Sequence, residues 1–141
     1  MNSWDKPIYD QAQPSHLDLH GITVELRVSS ARLLTYCHSL FRHYLSPHHT
    51  QARIVLQLEL VDSLSTSLSP PAATTVVRQL RGIVCTADQQ RLFLNFDGKG
   101  AFVIDRQVHT ITGEVTHLLL TEQHLLDRLL VGSLALLLRE W

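Results

Sequence analysis

The chain has 141 residues, 45% of them hydrophobic and 18% charged, with 12 Lys plus Arg against 13 Asp plus Glu and a net charge of −1. This length suits one domain with enough apolar material for a core. The near-neutral charge, with Arg scattered rather than clustered, excludes the positive field by which nucleic-acid and anionic-membrane binders attract their partners.

Residues 1–15 read as a flexible lead. They contain Trp4, Asp5, Asp10 and two prolines and no apolar run, so they are not a signal peptide. Ile22, Val24, Leu26 and Val28 alternate with Thr23, Glu25 and Arg27, which predicts a half-buried strand. Residues 16–20, just before Gly21, read as its hairpin partner or an edge strand. Ser29 and Ser30 are good helix N-caps. Leu33, Leu34, Cys37, Leu40, Phe41, Tyr44 and Leu45 then recur at helical spacing, predicting an amphipathic helix over about 30–45 that Pro47 ends.

Alternation over 54–61 predicts another strand. The Ser-rich segment 62–75, with Pro70-Pro71, is a loop long enough to be mobile. Strand character returns over 76–86 and 91–97. Asp97-Gly98-Lys99-Gly100 signals a tight turn into a return strand ending at Asp105, and 108–115 reads as one more strand. Thr121 is a candidate N-cap, with Glu122 in the first turn, for a last helix over about 121–140. The expected fold is α+β: a mainly antiparallel sheet of about five to seven strands with two principal helices, in a single domain over 16–141. Without regular alternation of strand and helix, a doubly wound parallel sheet is not expected.

Few residues combine into a chemical motif. Nine histidines raise the question of a metal, with His16, Asp18 and His20 on one face of a possible strand and His48-His49 beside the loop. Structural zinc sites use short Cys or His pairs at fixed spacings, which this chain lacks, and His38 and His43 lie five apart, so solvated histidines are the better reading. Cys37 and Cys85 sit in apolar segments, where a free cysteine acts as a small hydrophobe. Nucleophilic use of Cys85 would need His109 or His117 as base and Asp105 as orienting group. Gly98-Lys99-Gly100 lacks the second glycine and the Ser or Thr of a phosphate-binding loop, so it reads as a turn. No catalytic, metal or cofactor-binding residue is assigned, and no cofactor is expected.

The last helix carries the strongest signal. From Leu129 on it is apolar on most sides, and a helix apolar all round is normally buried. Its uncharged run, 129–138, is too short to span a bilayer, so no membrane span is expected, and a reducing cytoplasmic location follows from the sparse cysteines. Leu130, Leu134, Leu137, Leu138 and Trp141 are the candidate interface for a second domain or a homo-oligomer, because a large exposed apolar patch is costly.

The order of segments resembles a known family. Residues 17–24 (Leu-Asp-Leu-His-Gly-Ile-Thr-Val) form a strand pair around a glycine, and a helix and antiparallel strands with Gly-Ala-Phe-Val-Ile-Asp at 100–105 follow. The chain closes on Leu-Leu-Asp-Arg-Leu-Leu at 125–130 and the Leu-rich run 134–139. The pattern resembles the N-terminal region found ahead of the kinase domain in HPr serine kinase-like proteins. That resemblance implies a non-catalytic accessory or regulatory domain whose partner is a C-terminal kinase-like domain or a second copy. The family's P-loop and acidic catalytic residues have no matching positions here, so any ATP-dependent serine kinase activity is implied only for a longer protein. Two alternatives stand beside it: a free-standing peptide- or ligand-binding module with 62–75 as a lid, and a small cysteine-dependent enzyme using Cys85.

Overall fold

The computed structural model describes residues 15–47, 51–71, 75–80 and 83–139. The lead 1–14, His48-His49 and Trp141 lie outside the described residues, so expectations that fall on them are not addressed. Nine strands form one sheet: β1 (Ser15–Leu19), β2 (Ile22–Val28), β3 (Leu45–Ser46), β4 (Ile54–Val61), β5 (Thr75–Leu80), β6 (Ile83–Ala87), β7 (Arg91–Phe96), β8 (Gly100–Asp105) and β9 (Thr110–Thr116). Their spatial order is β3-β1-β2-β4-β9-β8-β7-β6-β5. Among the described residues the helices are α1 (Ala31–Leu40), α2 (His117–Thr121) and α3 (Gln123–Leu138). The fold is α+β with a mostly antiparallel sheet. It has more strands than the sequence suggests, because 76–86 holds two strands that fold back on each other and because Leu45–Ser46 pairs with β1.

Turn chemistry explains the hairpins. His20 and Gly21 both have positive φ, as do Asp97 and Gly98, the requirement of the two-residue turns that match strand twist. Asp18 Oδ1 accepts from the Gly21 N–H at 2.7 Å, and Asn95 Oδ1 accepts from the Gly98 N–H at 3.1 Å. At the bends on either side of the β7–β8 hairpin, carboxylates take that role. The backbone N–H groups of Arg91 and Gln90 hold Asp88 below the ordinary carboxylate range. Burial pushes Asp105 up, but the Gln90 side chain and the N–H groups of Val108 and Gln107 outweigh it and leave it lowered.

Two pairings are parallel, β2–β4 and β4–β9, and they join the N-terminal hairpin to the C-terminal meander. The first is a crossover through α1. Ser30 caps α1, its side chain accepting from the Leu33 N–H at 3.4 Å. The helix ends at Leu40, earlier than the spacing predicts, although Phe41, Tyr44 and Leu45 continue the apolar pattern. The chain turns there so that Leu45–Ser46 reaches β1, and the Tyr44 carbonyl accepts from the Asp18 N–H at 2.8 Å.

The last helix also begins differently. Thr116, not Thr121, is the side-chain cap: it accepts from the Leu119 N–H at 3.3 Å and donates to the Lys99 carbonyl at 2.6 Å. Thr121 ends the short α2. Glu122 precedes α3 without capping it, because its carboxylate is engaged by Lys99 Nζ at 2.9 Å on the β7–β8 turn.

All three helices contribute to a core on one face of the sheet, called the inner face. It is built from Val24, Leu26, Leu56, Leu58, Phe102, Ile104, Ile111 and Val115 on the strands, Leu33 and Cys37 on α1, Leu119 on α2, and Leu126, Leu130, Leu134 and Leu137 on α3. Gly113 lies at its centre, where an added Cβ would stand 3.0 Å from both Leu58 Cδ2 and Phe102 Cε2. Gly113→Ala is therefore expected to cost about 1–3 kcal/mol by overpacking, measured as a shift in the urea midpoint at unchanged slope.

Candidate functional site

The interface expected on the last helix divides into two sides. Leu130, Leu134 and Leu137 are buried in the chain's own core, and Leu138 packs partly against it. Leu130, Leu134 and Leu137 are therefore occupied by the chain's own core, whereas Leu138 keeps part of its surface exposed. The outward positions of α3 change character along its length. His124 and Arg128 are exposed in its first half, followed by Val131 (50% exposed), Gly132 and Ala135. Val131, Ala135 and Leu138 fall at i, i+4 and i+7, so one exposed stripe passes from polar to apolar and small. That spacing is visible in the sequence; what hides it is that leucines on both sides make every face look equally apolar.

A cleft of about 860 Å³ separates α1 from the α2–α3 corner. Its α1 wall carries Arg32, Thr35, Tyr36, Ser39 and Leu40, continued by Arg42 and His43, and Leu120, Gln123 and Asp127 face them. Tyr36 Oη donates across it to the Gln123 carbonyl at 3.2 Å. Of the lid segment proposed from the sequence, the described residues 62–71 do not line this cleft.

That segment is tethered elsewhere. Glu114 on β9 is only 7% exposed, and its carboxylate accepts from the Ser65 N–H at 3.0 Å and from Ser65 Oγ at 2.7 Å. Glu114 pairs in register with Glu59 on β4, on the outer sheet face. Residues 62–71 thus begin their path to β5 on the sheet face opposite the described helices. Such a carboxylate gives no sequence signal, because a strand glutamate is ordinarily solvent-facing.

The cysteine constellation does not assemble. Cys85 pairs in register with Leu94, and Leu94 with Phe102, which places it on the inner face; Asp105 lies three residues beyond Phe102, on the outer face. Asp105 is engaged by Gln90 Nε2 at 2.8 Å, and His117 faces Asp62 at 3.3 Å. The histidines are dispersed as well. His16 is buried beside Glu25 at 3.9 Å, and His38 Nε2 lies 2.6 Å from Ser15 Oγ. Among the described residues no three His, Cys, Asp or Glu side chains are grouped to hold a metal ion, and no helix is long and apolar enough to cross a membrane.

Comparisons with protein-family models, with curated proteins and with solved structures find no match to this chain.

The two thiols differ in reactivity. Cys37 is buried on α1, and burial pushes its pKa up to about 12, whereas Cys85 is half-buried. A thiol kept protonated is a poor nucleophile. Iodoacetamide at pH 8 is expected to leave Cys37 unmodified in the native protein and to label it only after unfolding, read by peptide mass spectrometry. Labelling of Cys37 at the rate of a free thiol under native conditions would contradict the packing described.

Proposed function

We propose that this chain is a non-catalytic accessory or regulatory domain of an HPr-kinase-like protein, and that it packs through α3 on a kinase-like domain or on a second copy of itself. The observation that carries the reading is the exposed second half of α3. Val131, Gly132 and Ala135 stand where a solvated helix would carry charge, while the opposite side of the same helix already holds the core together. Small residues on such a stripe let another helix or strand approach closely. The segment order quoted for the family agrees with this reading, as does a site inventory in which Cys85 and Asp105 lie on opposite sheet faces.

In this account the interface is not the leucine set Leu130, Leu134 and Leu137 but the outward stripe Val131, Ala135 and Leu138. A contact centred there is small, so it suits a domain held beside its partner by the chain itself or a dimer extended by neighbouring surfaces. Cytoplasmic residence belongs to the same proposal.

Two measurements test it. The natural reading frame beyond Trp141 is expected to contain Gly-x-x-x-x-Gly-Lys-Ser/Thr within some tens of residues. Failing that, the purified chain is expected to be a dimer by light scattering. The double variant Val131→Glu/Ala135→Glu should then convert it to a monomer with an unchanged circular-dichroism spectrum and a melt that no longer depends on protein concentration, since both positions are exposed. A reading frame that stops at Trp141, together with a monodisperse monomer, overturns the proposal.

A further inference from the structure

The cleft between α1 and the α2–α3 corner combines exposed basic side chains with half-buried apolar ones. Its apolar part is limited: Leu120 is buried, and Tyr36 and Leu40 on the α1 wall are half-buried. Its α1 rim is cationic, with Arg32 at one end and Arg42 and His43 at the other, all exposed. Of the arginines elsewhere, Arg27 is engaged by Glu25, Arg91 by Asp88, and Arg106 by the carbonyls of Asp88, Gln89 and Gln90, while Arg53, Arg128 and Arg139 are exposed away from this cleft. Among the described residues neither Arg32 nor Arg42 pairs with a carboxylate; Arg42 Nε donates only to His43 Nε2 at 3.3 Å. Asp127 stands on the opposite wall without neutralising either of them at ion-pair distance.

The shape narrows the class of ligand. Sites for small molecules enclose most of the ligand's surface. Here Ala31, Arg32, Thr35, Ser39, Arg42, His43 and Gln123 are all exposed, so the site is a trough with open walls. Arg32 and Leu40 are eight residues apart on α1, about 12 Å at the helical rise, and Arg42 follows beyond the end of the helix, so the basic groups are spread along the trough. An extended segment covers that length in about four residues, and a helix in about eight. Apolar side chains with a charged rim are the arrangement used when an amphipathic segment lies in a groove between helices.

We propose that this cleft docks an acidic peptide segment of a partner protein. Its apolar side chains would lie on Tyr36, Leu40 and Leu120, and its carboxylates would face Arg32 and Arg42. The surface is separate from the outward stripe of α3, so the two proposals stand or fall independently.

The test is a selection of phage-displayed random twelve-residue peptides on the full chain. Arg32→Glu/Arg42→Glu serves as counter-target, and its melt is checked against the wild type to confirm folding. The enriched peptides are expected to carry at least two Asp or Glu alongside apolar residues. As synthetic peptides they should bind the wild type at least tenfold more tightly than the double variant, more weakly as salt rises, and equally well to Val131→Glu. Three results would overturn the proposal: no enrichment, enrichment of peptides without acidic residues, or acidic peptides that bind the double variant as well as the wild type. Displacement of the peptides by micromolar inorganic phosphate would also overturn it, because the cleft would then be a small-anion site.

Discussion

The fold depends on the inner side of α3 closing the inner face of the sheet. Two parallel pairings are all that joins the β1–β2 hairpin to the β5–β9 meander, and the strand they share, β4, is apolar on the inner face at Ile54, Leu56 and Leu58. A sheet with such an apolar face is stable only if that face is covered. α1 covers the β2 side through Leu33 and Cys37, and α3 completes the cover with Leu126, Leu130, Leu134 and Leu137. Each buried leucine contributes roughly 1.5–3 kcal/mol relative to exposure, so this one stripe outweighs any single turn or cap. The chain is anchored as it enters the helix: Thr116 and Glu122 are both tied to Lys99, which fixes α2 and the start of α3 against the β7–β8 turn.

Much of this was legible in the sequence, for a physical reason. Period-two alternation located β2 and β4 to the residue, and Asp97-Gly98 and His20-Gly21 marked turns because few residue pairs tolerate two consecutive positive φ values. What the sequence did not disclose depends on tertiary contact. α1 stops at Leu40 although the apolar spacing runs on, because pairing of Leu45 with Leu17 competes with continued helix. Thr121 looks like a cap, yet Thr116 is the residue whose hydroxyl meets an N–H and a carbonyl at once. The parallel register of β4 beside β2 and β9 leaves no local signature, since it is set by distant segments.

The candidate sites follow the same division. The leucines of α3 were correctly read as unusual, but their number concealed which ones face inward. Leu130 and Val131 are adjacent in sequence and opposite in role, one in the core and the other half-exposed. The cleft was not legible, because its walls come from α1 and from residues some ninety positions later, and each wall alone is an ordinary polar helix face. Tethering of 62–71 through Ser65 also removes that segment from the cleft, so the lid expected from composition and the groove found in the structure are unrelated features. The result is a domain whose α3 leucines close its own apolar core while Val131 and Ala135 remain exposed.

The division of α3 into a core side and an exposed side is tested most directly by comparing Leu130→Ala with Val131→Ala in urea denaturation of the whole chain. The account predicts a loss of about 2–5 kcal/mol for Leu130→Ala, the range for truncating a buried leucine, and a change within about 0.5 kcal/mol for Val131→Ala, the range for an exposed site. Equal, small losses at both positions would mean that α3 does not close the core and would contradict the account.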